Sequence, residues 1–379
     1  MKIVMQSRLP GTSISRHICE WGKDRAENRS VYTIHEDLST ALTPQSRKRG
    51  TYRGSLLPLL VLLFTCHAAS ALDTSRSDVS LFIDSMVSEH DYDRATLEAV
   101  LQNAESQESI IKAISKPAEK SLEWHEYRNI FLTDERITAG ANFWREHAAD
   151  LQRISDETGV SIEILVGIIG VETYFGRITG NYRVVDALST LAFDYPPRAK
   201  FFRSELKHFL LLVREENMDA ADATGSYAGA MGRPQFMPSS YREYAVDSTD
   251  DGKRDIWSNW TDVIGSVANY FVRHGWVADA QVVSRASLGE QWRGETPKNT
   301  TKPKETVTSL SHQGVLFVTD LPGDQKSQLL TLEGEDGTEY WVGFHNFFVI
   351  TRYNISVMYA LAVHQLGQEI ALEVNSGES

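Results

Sequence analysis

The run VGIIGVETYFGR, Val166 to Arg177, sets a single carboxylate, Glu172, in an apolar segment with two aromatics close behind it. The spacing predicts a helix over 162–175, with Ser161 as its N-cap and Gly176 as its stop. On that helix Leu165, Ile168 and Ile169 lie seven, four and three residues before Glu172 and share its face. Glu163, nine residues away, sits half a turn round and can face water. Glu172 therefore projects from the stripe that should face the interior. Burial disfavours the ionised carboxylate and raises its pKa, which suits a general acid near neutral pH. The competing reading is plainer: Glu172 emerges at the helix end and its carboxylate snorkels to solvent.

Downstream, GSYAGAMGRPQFMPSSY, Gly225 to Tyr241, is rich in glycine and small residues and ends in a capped helix start at PSSY. Glycines let a backbone run close to a ligand. Ser226, Gln235 and Ser239 supply neutral hydrogen-bonding groups suited to hydroxyl and acetamido substituents. A tight packing loop explains the same composition. Tyr127, Tyr174, Tyr182, Tyr353 and Tyr359 add aromatic faces with polar tips, useful for sugar rings and equally ordinary as packing residues. Asn354, beside Tyr353, has helix capping as its default role.

The rest of the chain is mostly helical in pattern. From Ser77 to about Ala118 apolar residues recur at three and four, among them Leu81, Phe82, Met86, Leu97, Val100, Leu101 and Ile110. Further helices are expected over 141–157, 206–216 and 260–274, and in YNISVMYALAVHQLGQEI near the end. After about Ala280 the character changes. QWRGETPKNTTKPKET lacks helical period and carries Pro297 and Pro303, so it reads as a loop. GVLFVTDL and QLLTLEGEDGTEYWVGF then read as strands, with Asp336-Gly337 as a hairpin turn. The fold class expected is mainly α with a small β-rich insertion. Its parts would be an extension and leader over 1–71, a helical region over 72–150, a catalytic core over 151–280, the insertion over 281–344, and a C-terminal helix over 345–379 that returns to the core.

At 379 residues and 41% hydrophobic, the chain can bury a substantial core. Its formal charge of -13 argues against a nucleic-acid partner. Residues 1–71 carry ten Lys/Arg and five Asp/Glu, so the remainder holds 28 and 46, a net of -18. Cys19 and Cys66 both fall in that N-terminal part, which leaves the rest without disulfide, thiolate cluster or cysteine nucleophile. RKRGTYRG, SLLPLLVLLFT and ASA ending at Ala71 read as the basic flank, apolar core and cleavage site of a signal peptide. The core is too short to span a bilayer. Export to the periplasm is expected, and residues 1 to about 50 are expected either to come from an over-extended start or to stand outside the functional protein. LFTC ending at Cys66 hints at an outer-membrane lipid anchor, although Thr65 is a poor residue before a lipidated cysteine.

The chain resembles the lytic murein transglycosylase B family. The resemblance rests on GVSIEILVGIIGVETYFGR, DALSTLAFDYPPRA, GSYAGAMGRPQFMPSSYREYAVD, IGSVANYFVRHGWV and RYNISVMYALAV, and runs from about Tyr127 to Leu366. It implies a lysozyme-like catalytic core with an additional α-helical region and a β subdomain. It also implies that Glu172 is the family's single catalytic acid, with Tyr127, Ser226, Gln235, Tyr353, Asn354 and Tyr359 lining the groove. The implied partner is the peptidoglycan glycan strand, cut without water between N-acetylmuramic acid and N-acetylglucosamine to leave a 1,6-anhydro end. No catalytic cofactor is implied, and the chain is expected to act as a monomer. Ordinary glycosidases need two carboxylates. Asp186 and Asp194 are the nearest candidates for a second, and both read as structural. A lysozyme-type hydrolase and an inactive peptidoglycan-binding scaffold are the alternatives.

DSTDDGKRDIWSNWTD, Asp247 to Asp262, resembles the first half of an EF-hand loop. Asp247, Thr249 and Asp251 alternate, Gly252 stands at the sharp turn and Lys253 offers a carbonyl. Ser258 holds the twelfth position in place of the usual Glu. The family resemblance implies a late carboxylate, which Asp262 fits, in a loop one residue longer than the family pattern. Structural calcium and a solvated acidic turn remain the two readings.

Overall fold

Helix α7 (Ile162–Thr173) is enclosed on all sides: every residue from Ile164 to Thr173 is buried. A helix apolar all round has to be covered, and the last helix, α14 (Val357–Ser376), packs along it. Two glycines permit the close approach. A Cβ on Gly167 would stand 2.4 Å from the Val363 carbonyl oxygen, and one on Gly367 would stand 2.1 Å from that of Glu163. The computed structural model describes residues 70–115 and 122–376. Both cysteines, and the signal-peptide reading up to Ala69, lie outside the described residues.

Helices α1 (Ser77–His90), α2 (Arg94–Gln102) and α3 (Glu108–Ser115) form the N-terminal group, as the three-and-four spacing predicts. Next come α4 (Trp124–Phe131), α5 (Asp134–Glu146) and α6 (Ala148–Thr158). The single helix expected over 141–157 is thus two. The break falls at His147, with φ -109° and ψ 20°, where the imidazole packs 4.5 Å from the Phe143 ring and 5.6 Å from Trp260. Both α4 and α5 pack on α14, while α6 packs on α11 (Trp260–Arg273). Helices α8 (Val184–Asp194), α9 (Ala199–Glu215) and α10 (Pro238–Tyr244) complete the helical body around α7. Two short antiparallel pairs, β1 (Ser70–Ala71) with β2 (Glu105–Ser106) and β3 (Tyr182–Arg183) with β4 (Thr224–Gly225), pin loops to it.

The β-rich segment is one antiparallel sheet in the order β6-β8-β9-β5-β7. Its strands are β5 (Val283–Leu288), β6 (Glu305–Thr306), β7 (Val315–Phe317), β8 (Lys326–Gly334) and β9 (Gly337–Gly343), with a short helix α12 (Val307–His312). β5 and α12 were not legible as elements, because six residues each is too short a window for a period to emerge. The hairpin closes with Gly334 opposite Gly337, so Glu335 and Asp336 form the turn and Gly337, at φ 115°, follows it. That is one residue earlier than Asp336-Gly337. β8 alternates between two cores: Leu329 joins Val307, Leu310 and Val342 in a small cluster, whereas Leu330 and Leu332 join the main helical core. Helix α13 (His345–Ile350) then carries the chain back toward α7.

Candidate active site

Helix α7 stops two residues before the predicted end. Tyr174, Phe175 and Gly176 all take left-handed backbone, with φ of 50°, 56° and 80°. Two non-glycine residues in that region store about 1–3 kcal/mol each, a cost that surrounding contacts must hold in place. Arg136 and Arg177 flank the Tyr174 ring at 4.5 and 4.6 Å, and Phe175 stacks on Phe143 at 5.3 Å. The tight turn leaves Glu172 in the last turn of its helix. Ser161 does occupy the N-cap at the other end, with no side-chain bond to the helix.

Glu172 is 7% exposed, at the floor of a recess that Gln235, Phe236, Tyr270, Tyr353 and Asn354 also line. The recess encloses about 90 Å³, the size of a notch in an open groove rather than a chamber for a whole glycan. From α14, the Tyr359 hydroxyl donates to Glu172 Oε1 at 2.5 Å. The helix pair that Gly167 and Gly367 bring together therefore also sets this bond. Burial, and then the Glu172 charge, pushes the Tyr359 phenol well above its usual pKa, so it stays a donor. Tyr353 is raised for the same two reasons in the same order, and its hydroxyl donates to the Pro234 carbonyl at 2.6 Å.

Gln235 takes φ 52° in the glycine-rich loop, a conformation uncommon outside glycine. Its amide nitrogen donates to the carbonyls of Gly232 (2.7 Å) and Thr179 (3.0 Å). Its Oε1 is buried and meets no donor among the described residues. An oriented acceptor in the recess suits a substrate hydroxyl or amide.

The other predicted residues sit further back. Ser226 is buried, and its hydroxyl oxygen accepts from the amides of Ala230 (3.1 Å) and Ala228 (3.3 Å), bracing the loop. Tyr127 is buried on α4 against Phe131 at 5.2 Å, close enough to Tyr359 for its charge to matter there. The structure thus brings Glu172, Gln235, Tyr353 and Asn354 together in the recess, sets Tyr359 directly on Glu172, and leaves Tyr127 and Ser226 outside the lining.

Asp186 and Asp194 lie elsewhere. Asp186 accepts from Arg183 Nε (2.7 Å) and from the Glu105 amide (2.9 Å). Asp194 accepts from Arg76 (2.6 Å) and the Ser106 hydroxyl (2.7 Å). Both tie α8 to the N-terminal group, in keeping with their structural reading. The second carboxylate in the recess is Glu205, which sequence reasoning missed. It is 5% exposed on α9 and accepts from the Ser239 amide (2.9 Å) and hydroxyl (2.8 Å), so it holds the start of α10. Phe202, Leu206 and Phe209 share its buried stripe, the same signal that singled out Glu172. Arg198, also lining the recess, lies 4.4 Å from the Phe201 ring. Burial lowers its pKa, and the Glu205 charge opposes that shift.

In the acidic loop, Asp247 accepts from the amides of Thr249 (3.1 Å), Asp251 (3.3 Å) and Gly252 (2.7 Å). The Lys253 amide donates to Asp251 at 2.9 Å. Asp262, fully buried at the start of α11, accepts from Ser248 (2.8 Å) and Asp255 (3.0 Å). Burial raises its pKa, two amide bonds lower it, and the charges of Asp247 and Asp251 raise it again. Among the described residues no three His, Cys, Asp or Glu side chains group closely enough to hold a metal ion.

Residues 74–368 match the family model described as a transglycosylase SLT domain. The chain is 43% identical over 302 residues to membrane-bound lytic murein transglycosylase B of Escherichia coli K12, covering 77% of this chain and 82% of that protein. The soluble lytic transglycosylase SltB1 of Pseudomonas aeruginosa is 51% identical, with a TM-score of 0.74 over 78% of this chain and 98% of that one. The Escherichia coli lytic transglycosylase Slt35, solved in complex with calcium, is 41% identical, with a TM-score of 0.73 over 81% and 96%.

Proposed function

This chain belongs to the SLT-domain lytic transglycosylases, and from that premise we propose that Glu172 serves as first the acid and then the base of a cut made without water. The enzyme is a peptidoglycan-cleaving lytic transglycosylase on a mainly α, lysozyme-like fold. The finer chemistry is our reading. Protonated Glu172 gives its proton to the glycosidic oxygen between N-acetylmuramic acid and N-acetylglucosamine as that bond breaks. The 2-acetamido group of the muramic sugar steadies the cationic C1. Glu172, now a carboxylate, takes the proton of the same sugar's C6 hydroxyl, whose oxygen bonds to C1 and closes a 1,6-anhydro ring. The nucleophile is already tethered, so the step gains from proximity.

The observation that carries this reading is the contrast between the two buried carboxylates. Glu172 faces the recess with Tyr359 as its donor, whereas Glu205 is engaged by the start of α10. The Tyr359 hydroxyl steadies the carboxylate once the proton has gone. Gln235 Oε1, Tyr353 and Asn354 would orient the sugars, with Tyr127 and Ser226 supporting them from behind.

Glu172→Gln tests the assignment: the variant keeps the fold and loses at least ~10²-fold of its rate. Mass spectrometry of digested sacculi tests the rest. Ends lighter by one water support the anhydro product, and reducing ends would make the enzyme a hydrolase, with Glu205 as the first candidate for a second carboxylate. An inactive scaffold would release nothing.

The enzyme is placed in the periplasm, where its substrate lies, as a monomer, with Cys66 as the site of any lipid anchor. Among the described residues no helix is long and apolar enough to cross a membrane. For the acidic loop, the donor chemistry of Asp247, Thr249, Asp251, the Lys253 carbonyl and Asp262 suits a hard cation. Calcium there would relieve the mutual repulsion at Asp262, stiffen the loop and take no part in the cut.

A further inference from the structure

Thr173, the residue next to the acid, is fully buried, and the reading above leaves it without a task. Its hydroxyl donates to the Arg233 carbonyl oxygen at 3.1 Å, closer than the Ile169 carbonyl oxygen of its own helix at 3.4 Å. The same hydroxyl oxygen accepts from the Gly176 amide at 3.1 Å. One side chain therefore joins the last turn of α7, the left-handed turn behind it and the glycine-rich loop.

Arg233 is itself tied down. Its amide donates to the Ile256 carbonyl at 2.9 Å. Its guanidinium donates to the Ser258 carbonyl at 2.9 Å and lies 3.9 Å over the Trp260 ring, at the start of α11. Those partners are held as well. The Asp255 carboxylate accepts from the amides of Trp257 (2.8 Å) and Ser258 (2.9 Å), and Trp260 meets the Phe143 ring edge-on at 4.7 Å. Phe143 stacks on Phe175. The contacts thus run from Thr173 through Arg233, Trp260 and Phe143 to Phe175, and close around the turn. Gly176 sits within that ring: a Cβ there would stand 3.0 Å from Trp260 Cζ2 and 3.3 Å from Arg233 Nε.

Left-handed backbone at Tyr174 and Phe175 persists only while its surroundings over-determine it. With the Arg233 clamp released, the turn can relax and draw the end of α7, and Glu172 with it, out of line. Arg233 does not line the recess, so its effect on the cut has to pass through its neighbours. We propose that Arg233 is a positioning residue for the cut: through Thr173 it holds the turn that seats Glu172, an assignment that rests on Glu172 being the acid. Gln235, two residues on, has its own side-chain bonds to Gly232 and Thr179, so contacts to substrate should outlast the clamp.

The test is a double-mutant cycle on the whole chain, with soluble glycan oligomers as substrate. Arg233→Met keeps an apolar stem beside Trp260 and loses the guanidinium, whereas Thr173→Val keeps the shape and loses the hydroxyl. Each is expected to lower kcat about tenfold with KM little changed. Together they should also cost about tenfold, rather than the roughly hundredfold of two independent sites. Thr173→Ser, which keeps the hydroxyl, should recover most of the rate lost in Thr173→Val. A loss of roughly hundredfold in the double variant would overturn the role of Arg233. So would a raised KM with kcat intact, a parental kcat in either single variant whatever its Tm, or a Thr173→Ser variant as slow as Thr173→Val. Glu172→Gln runs alongside: parental cutting by that variant would refute the acid itself, whatever the cycle gives.

Discussion

Gly367→Ala is the substitution that most directly probes how the centre is held. The new Cβ would sit 2.1 Å from the Glu163 carbonyl oxygen and 2.7 Å from its carbon. Ordinary contact begins near 3.4 Å, so α14 and α7 must part locally by about 1 Å. A backbone carbonyl in a buried helix cannot swing aside as a side chain would, which puts the overpacking cost toward ~3 kcal/mol. Alanine returns about 1 kcal/mol through its better helix propensity. The net expectation is a loss of roughly 2 kcal/mol, read as a fall of a few degrees in Tm. Activity should suffer more than stability. Tyr359 lies two turns back along the same helix, and a displacement of about 1 Å at the reacting groups is worth ~10²-fold in rate. Thermal unfolding and turnover of purified sacculi would be measured on the same preparation. A variant that is as stable as the parent and cuts at the parental rate would show that the glycine contact does not set the geometry. Gly167→Ala, whose Cβ would meet the Val363 carbonyl oxygen at 2.4 Å, is the mirror test and should fail in the same way.

Tyr359→Phe removes the hydroxyl on Glu172 while keeping the ring; kcat should drop about tenfold or more with KM little changed, and an unchanged kcat would show the bond to be idle. His364, on α14, has its pKa lowered by burial to about 4, from an ordinary 6.5. The folded protein therefore resists a proton that the unfolded chain accepts. Stability is unaffected above about pH 6.5, falls as the pH drops toward 4, and has lost roughly 2 kcal/mol from this group by pH 5. His364→Gln should flatten that part of the curve, and identical pH profiles for both proteins would rule the group out. Saturating calcium should raise Tm if the acidic loop takes the ion, by about 2.7 kcal/mol of stability at a hundredfold excess over Kd. A Tm indifferent to calcium and to chelator across a wide range would remove the metal.

The helical body was legible because its signal is local. The stripe of Leu165, Ile168, Ile169 and Glu172 is a property of one helix, and α7 forms as that spacing predicts. The groups that meet Glu172 were another matter. Tyr359 stands 187 positions away, and no periodicity within either segment says that the two should touch. The family resemblance nominated it, together with Gln235, Tyr353 and Asn354. Glu205 was missed although its stripe was as readable as that of Glu172, because the sequence reading weighed acids by nearness along the chain rather than by the face they share with buried neighbours. Ser226 shows the opposite limit: a hydroxyl in a glycine-rich loop suits a ligand and suits the loop's own amides equally, and only the folded backbone tells which it meets.

Tyr353, Asn354 and Tyr359 all follow the sheet, 187 positions separating Tyr359 from Glu172. A nascent or prematurely ended polypeptide would therefore carry Glu172 long before anything exists to seat it. Competence to cut the cell wall therefore waits on residues beyond the sheet, and a copy that stops before them would lack the groups that seat the acid. Trimming the C-terminus, far from the acid in sequence, should disarm it as surely as replacing the acid itself.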